Sequence, residues 1–255
     1  MSSDVHADAA SSEPKTMISK EELAASYGKS AGGYESMLDQ EVVDKKVLYD
    51  KIVDMLLSGL GELEGPVADV SCGPGHVLAM LKERQKERPL MGSDLCQDMV
   101  DRAAKRLPDA KFQRADMTDL SGAFKDAELA GMINMFALHH VDEMGVKAAL
   151  AEASRVLRGS GCLLLAFWEG PTHGAQMPSA PKDSDTHGRI QVSARPSRQP
   201  IGLSDCEEWG AAHLWSTAGM YALAAAAGFD PVSEHQELEK EFDMNMAFLC
   251  LKKRS

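Results

Sequence analysis

A doubly wound, mostly parallel α/β sheet is the fold class that this sequence predicts, and three observations predict it. Short apolar runs between Val67 and Trp168 alternate regularly with segments of helical period. The first of those runs breaks into a Gly-Pro-Gly turn, Gly73 to Gly75, that opens straight into an amphipathic segment. The chain of 255 residues is long enough for one large domain with a sizeable core, or a domain plus a cap.

Residues 1–16 are rich in Ser, Ala and Asp, have no apolar targeting core, and carry Asp4, Asp8 and Glu13 against a transit peptide. A disordered tail is expected there. Residues 17–62 read as an N-terminal helical cap. Ser19 and Glu22 have the spacing of a capping box, the glycines between Tyr27 and Tyr34 predict an interruption, and a long helix is expected from about Asp39 to Leu57. Its apolar face would be Val43, Val47, Ile52, Met55 and Leu56.

Residues 63–255 form the expected core. A strand at Val67 to Val70 leads through the glycine turn into a helix. A second strand, Pro89 to Asp94, precedes a helix from Cys96 to Leu107 that Pro108 stops. Strands three and four are Ala110 to Arg114 and Gly131 to Phe136. The helix Glu143 to Leu157 ends at Gly159, and strand five is Cys162 to Trp168. From 169 to 208 the rhythm breaks into Pro, Ser and Asp, as a functional or disordered insertion would, and its place after strand five makes a substrate-side insertion the expectation. A helix from about Ser216 to Ala227 and strands near Asp230 to Glu234 and Met244 to Leu251 complete the chain.

The formal net charge of −12 excludes an ordinary nucleic-acid binder, which needs a basic face for phosphates. No run has the length and apolarity of a membrane span. Cys72, Cys96, Cys162, Cys206 and Cys250 form no C-x-x-C pair, so neither a metal site nor a disulfide framework is indicated, and a cytoplasmic location is expected.

The glycine turn narrows the function. A dinucleotide fingerprint places a third glycine where this chain has Leu78. Asp69-Val-Ser-Cys-Gly-Pro-Gly75 instead resembles the first motif of the class I S-adenosylmethionine-dependent methyltransferases, with Ser71 at a position usually held by glycine. A plain strand–turn–helix with incidental glycines is the alternative. Ala137-Leu-His139-His140-Val-Asp142, and Glu152-Ala-Ser-Arg155-Val-Leu-Arg-Gly-Ser-Gly161, are similar to signatures of the ubiquinone/menaquinone-methyltransferase-like (type 11/25) branch. Ala130-Gly131 departs from it, since the family commonly begins strand four with an acid.

The resemblance implies a Rossmann-like fold and S-adenosyl-L-methionine as cofactor. The residues it assigns to the cofactor are Tyr27, Asp69, Ser71, Cys72, Gly73, Gly75, Asp94, Leu95, Met99, Asp116, Met117, Asn134 and Phe136. Asp94, at a strand end, can accept both ribose hydroxyls, or cap the next helix. Asp116 would meet the adenine amino group, or cap a turn. Tyr27 and Tyr34 belong to a segment that folds over the cofactor as a lid in the family, or they only pack the first helix down.

His139 and His140 are candidate general bases, needed only where the acceptor must lose a proton; packing is the other reading. The acceptor is expected to be a small polar metabolite attacked at N, O or S. Tyr34, Trp168, Arg195, Trp209 and Trp215 are its candidate contacts, and solvated surface is the simpler reading of the charges around them. A non-catalytic cofactor binder and a nicotinamide-dependent oxidoreductase are the other function classes. Leu78 and the lack of a Tyr-x-x-x-Lys pair speak against the second.

Overall fold

The computed structural model describes residues 17–176, 212–240 and 243–255. The predicted tail, most of the insertion, Arg195, Trp209 and Cys206 lie outside the described residues.

Two helices come first, α1 (Lys20–Asp44) and α2 (Lys46–Leu60). The core then alternates: β1 (Val67–Val70), α3 (His76–Arg84), β2 (Leu90–Asp94), α4 (Gln97–Arg106), β3 (Lys111–Arg114), β4 (Leu129–Met135), α5 (Glu143–Val156) and β5 (Leu157–Glu169). A short ribbon, β6 (Ala175–Gln176) with β7 (His213–Leu214), joins the two ends of the segment that is not described. The helix α6 (Thr217–Ala226) and the hairpin β8 (Phe229–Glu239) and β9 (Met244–Lys253) close the domain.

The main sheet has the order β3-β2-β1-β4-β5-β9-β8. Pairing is parallel from β3 through β5, and β9 alone runs against its neighbours on both sides. Alternate residues along the central strands serve two cores, as a strand's period of two requires. Val67, Ile133, Leu164 and Phe248 pack with Ile52, Leu56, Leu78 and Leu81 on one face. Val70, Met132, Leu165 and Leu249 pack with Val146, Leu150, Met220 and Ala224 on the other.

The helical cap departs from expectation. The capping box at Ser19 and Glu22 is present, but α1 runs uninterrupted through Gly28, Gly32 and Gly33. These glycines make room rather than break the helix. A Cβ on Gly28 would stand 2.7 Å from Asp98 Oδ2, and one on Gly32 would be 3.4 Å from the Arg102 guanidinium. Small residues thus let α1 lie close along α4. The break falls instead at Lys45, and Val43 and Val47, assigned to an apolar face, are 68% and 85% exposed.

The fifth strand also begins early. Leu157 already pairs with Leu129, and a register shift is absorbed where Ser160 takes φ of 62°. The Glu152/Arg155 pair is a structural clamp. Glu152 accepts from Leu120 N at 2.6 Å, while Arg155 reaches Phe124 O and Asp126, tying the loop after β3 to α5.

Candidate functional site

Strand order reverses between β1 and β4, and their carboxyl ends open the crevice where ligands of such sheets sit. The turn after β1 is shaped for close approach. Ser71, Gly73 and Gly75 take φ of 67°, 50° and 83°. The two glycines serve different ends. A Cβ on Gly75 would lie 3.1 Å from Ala103 Cβ, so this glycine lets α3 meet α4. A Cβ on Gly73 would project into the crevice and meet only Tyr34 Cε1, at 3.7 Å. Ser71 occupies the left-handed region that glycine adopts freely. Cys72 contributes backbone here, because its sulfur is tucked beside Gly92 and its thiol is pushed up by burial.

Asp94 staples this turn to the end of β2. Its Oδ2 accepts from Gly73 N and its Oδ1 from Cys96 N, both at 2.9 Å. Burial raises its carboxyl despite these bonds. The carboxylate thus binds the backbone of Cys96, the residue before α4, and that of the glycine turn at once. Leu95 follows it, half-buried, and Met99 is buried under α1 against Ala31, Tyr27 and Tyr34.

Asp69 lies below the turn, 3% exposed, and its Oδ1 has no hydrogen-bond partner. Burial and the nearby Asp94 charge push its carboxyl well up. An orphaned carboxylate oxygen beside a second carboxylate is a place for a cationic group. On the β4 side, Asn134 donates to Val70 O at 3.0 Å and sits 3.6 Å from Met117 sulfur, so it fastens β4 to β1. Asp116 accepts from Thr118 N at 2.9 Å and is ion-paired to Lys20. Burial alone would raise it, but Lys20 and Thr118 outweigh that and hold it below the usual range.

The helix α1 covers the crevice. Tyr34 overlies Gly73, its Cε1 3.7 Å from where a Cβ on that glycine would stand. Tyr27 stands edge-on to Tyr34, with centroids 5.7 Å apart, and its Oη is 2.8 Å from His140 Nε2. Glu35 pairs with Arg102 and Arg106, and Asp39 with Arg106 and with His76 at 2.8 Å. Sequence reasoning missed this strap. Its signal was available: Glu35 and Asp39 on one helix, and Arg102 and Arg106 on another, are complementary pairs at four-residue spacing.

After β4 the chain makes a single 3-10 turn, Leu138–His140. The His139 and His140 rings lie tilted against each other at 46°, with centroids 3.9 Å apart. Burial pushes both down, His139 to about 4 and His140 well below its ordinary value. Phe136, expected at the cofactor, takes φ of 50° and packs on Trp168 and Phe248 at centroid distances of 5.1 and 5.9 Å. It belongs to an aromatic wall in which Phe136 and Trp168 are half-buried and Phe248 is fully buried. Trp215 does not line an open acceptor surface either. It is fully buried and donates Nε1–H to Leu138 O at 3.0 Å, while its backbone bridges to β5 beside Trp168. A tryptophan next to a Pro- and Ser-rich segment gave no hint of that inward orientation.

Among the described residues no group of three or more His, Cys, Asp or Glu side chains could hold a metal ion, and no helix is long and apolar enough to cross a membrane. Residues 67–161 match the family described as "Methyltransferase domain". A trans-aconitate 2-methyltransferase of Methylobacterium nodulans is 26% identical over 171 residues, 64% of each chain. Its namesake from Rhizobium meliloti is 42% identical over 134 residues, 52% of this chain and 46% of that one. The matched stretch thus spans less than two thirds of the length of either curated relative. A solved 1,6-didemethyltoxoflavin-N1-methyltransferase of Burkholderia thailandensis, with S-adenosylhomocysteine bound, shares the fold. Its TM-score is 0.64 at 16% identity, over 98% of this chain and 99% of that one.

Proposed function

We propose that this chain, which carries a class I S-adenosylmethionine-dependent methyltransferase domain over residues 67–161, transfers a methyl group to an N, O or S nucleophile of a small polar metabolite. One observation carries the reading. A Cβ at Gly73 would meet Tyr34 Cε1 alone, at 3.7 Å, next to an acid-stapled turn and an orphaned buried carboxylate oxygen on Asp69. That combination suits a ligand joining a nucleoside to a cationic amino-acid portion.

S-adenosylmethionine, when bound, supplies a methyl group already activated by its sulfonium. Gly73 and the α3 N-terminus would take its amino-acid portion, with Asp69 as the partner for positive charge. Asp94 would hold the ribose, and Asp116 the adenine, once the Lys20 contact gives way. Tyr27 and Tyr34 would exclude water, and the residues around them would align the acceptor, which is where much of the acceleration of methyl transfer arises.

Tyr27 Oη and His140 Nε2, 2.8 Å apart, are the pair able to take up an acceptor proton. Burial weakens His140 as a base in this closed arrangement. Its first role is therefore to hold Tyr27, and an acceptor that is already anionic needs no base at all. Catalysis in a reducing cytosol accords with the described cysteines, which are free and buried.

The test is calorimetric titration of the pure protein with S-adenosylmethionine, S-adenosylhomocysteine and NAD, followed by transfer of labelled methyl to a panel of acceptors headed by trans-aconitate. Binding of both adenosyl ligands and not NAD, with label transferred to at least one acceptor, supports the reading. Tight binding of NAD alone would replace it with the oxidoreductase class.

A further inference from the structure

We propose that His139 and His213 together form a polar subsite for a carboxylate of the methyl acceptor, an inference that rests on the methyltransferase reading above. His139 lies on the 3-10 turn after β4, and His213 opens β7, the strand on which the described chain resumes. The two elements pack together. Trp215, two residues beyond His213, fixes one to the other through its 3.0 Å bond to Leu138 O.

Both imidazoles are more than nine-tenths buried, at 7% and 9% exposure, and the Nδ1 of each has no hydrogen-bond partner. Buried polar atoms in folded proteins are nearly always paired, so two orphans on neighbouring elements ask for a common partner. They stand on the acceptor side, since the His139 ring touches that of His140, which in turn meets Tyr27 at the mouth of the crevice.

The chemistry favours an anion. A neutral imidazole offers one N–H, and a carboxylate offers two oxygens that only accept. A carboxylate can also draw a proton onto either ring and so find its countercharge inside the subsite. A buried ammonium would find none among these residues. Burial and the neighbouring His213 keep His139 neutral until such a partner arrives.

The experiment titrates the S-adenosylhomocysteine-loaded protein with trans-aconitate, citrate and succinate, with choline as the cationic control. Wild type is compared with His213→Phe, which removes the Nδ1 position, and His213→Asn, which restores an N–H there. For whichever carboxylate wild type binds, we expect at least a tenfold loss in the Phe variant and less than threefold in the Asn variant. S-adenosylhomocysteine affinity should stay within twofold in both.

Equal binding by wild type and the Phe variant would mean that buried water alone serves these atoms, and would overturn the proposal. So would equal losses in both variants, or binding of choline in preference to the acids. Should the Phe variant not fold, nitrogen-15 histidine spectra of wild type decide: the Nδ1 signals of His139 and His213 must shift with the carboxylate. A wild type that binds S-adenosylhomocysteine but no carboxylate removes the subsite and leaves the methyltransferase reading standing. Failure to bind S-adenosylhomocysteine removes that reading itself.

Discussion

The first two helices adjoin in sequence and are held to the core by opposite means. The helix α2 buries Tyr49, Ile52, Val53, Met55, Leu56, Gly59 and Leu60, and its apolar side chains merge with one of the two cores. The helix α1 buries only Ser26 and Ala31. Besides a small cluster of Ala31, Tyr27 and Tyr34 on Met99, what docks it is Lys20 on Asp116, Glu35 and Asp39 on Arg102, Arg106 and His76, and Tyr27 on His140. A buried Leu or Ile contributes about 1.5–3 kcal/mol, whereas a partly exposed ion pair contributes about 0–1 kcal/mol. The two helices therefore differ in kind. We expect α2 to behave as part of the domain and α1 as a cover that leaves without unfolding it, as entry to a crevice roofed by Tyr27 and Tyr34 requires.

The largest effect that would sharpen this contrast is in α2. Leu56→Ala, at a fully buried position, should cost about 2–5 kcal/mol in urea unfolding. A loss under 1 kcal/mol would show that α2 is no more integral than α1.

Next comes the turn beneath the cover. His139 is held at about 4, below its ordinary value, so the unfolded chain binds a proton that the native state refuses. Its contribution is complete above pH 6.5 and is lost as pH falls from there toward 4, by about 1.4 kcal/mol per pH unit. Asp69 and Asp94, raised by burial, act in the opposite sense, so the measurement is the difference in slope between wild type and His139→Leu. Identical slopes would place His139 in water and the turn outside the fold.

Asp94→Ala should weaken S-adenosylmethionine binding by on the order of 1.5–3 kcal/mol, since it loses the staple on Gly73 N and, on the proposed reading, the ribose contact. Unchanged calorimetric affinity in a folded variant would remove Asp94 from the site.

The smallest effect is the most specific to α1. Glu35→Gln removes two guanidinium partners and should shift global stability by less than about 1 kcal/mol. Tryptic cleavage at Lys29 and Lys45 should nevertheless speed up severalfold, as it should in wild type between low and 1 M salt, where screening reaches about 3 Å. Cleavage inside α2 should not change. If salt exposes both helices alike, the contrast is wrong.

The alternation of strands and helices, the glycine turn and the acids at the strand ends were legible because each is local. A period of two or near 3.6, a Gly-Pro-Gly step and a carboxylate that follows an apolar run all lie within a dozen residues. The motif at Glu152 and Arg155 was visible too, but its work as a clamp on Leu120 and Asp126 was not. Partners about thirty residues away leave no local trace.

By itself, then, the sequence determined the doubly wound order of elements and the glycine-lined crevice at β1, because hydrophobic period and backbone freedom are properties of neighbouring residues. Tertiary structure alone decided that Gly28 and Gly32 admit α4 rather than break α1, and that the hairpin of β8 and β9 inverts the sheet's edge. It also decided that Trp215 turns inward to hold Leu138. Each of these depends on what a distant element places opposite the residue. A glycine that fits beneath a neighbouring helix and one that ends its own helix are the same letter until the neighbour arrives.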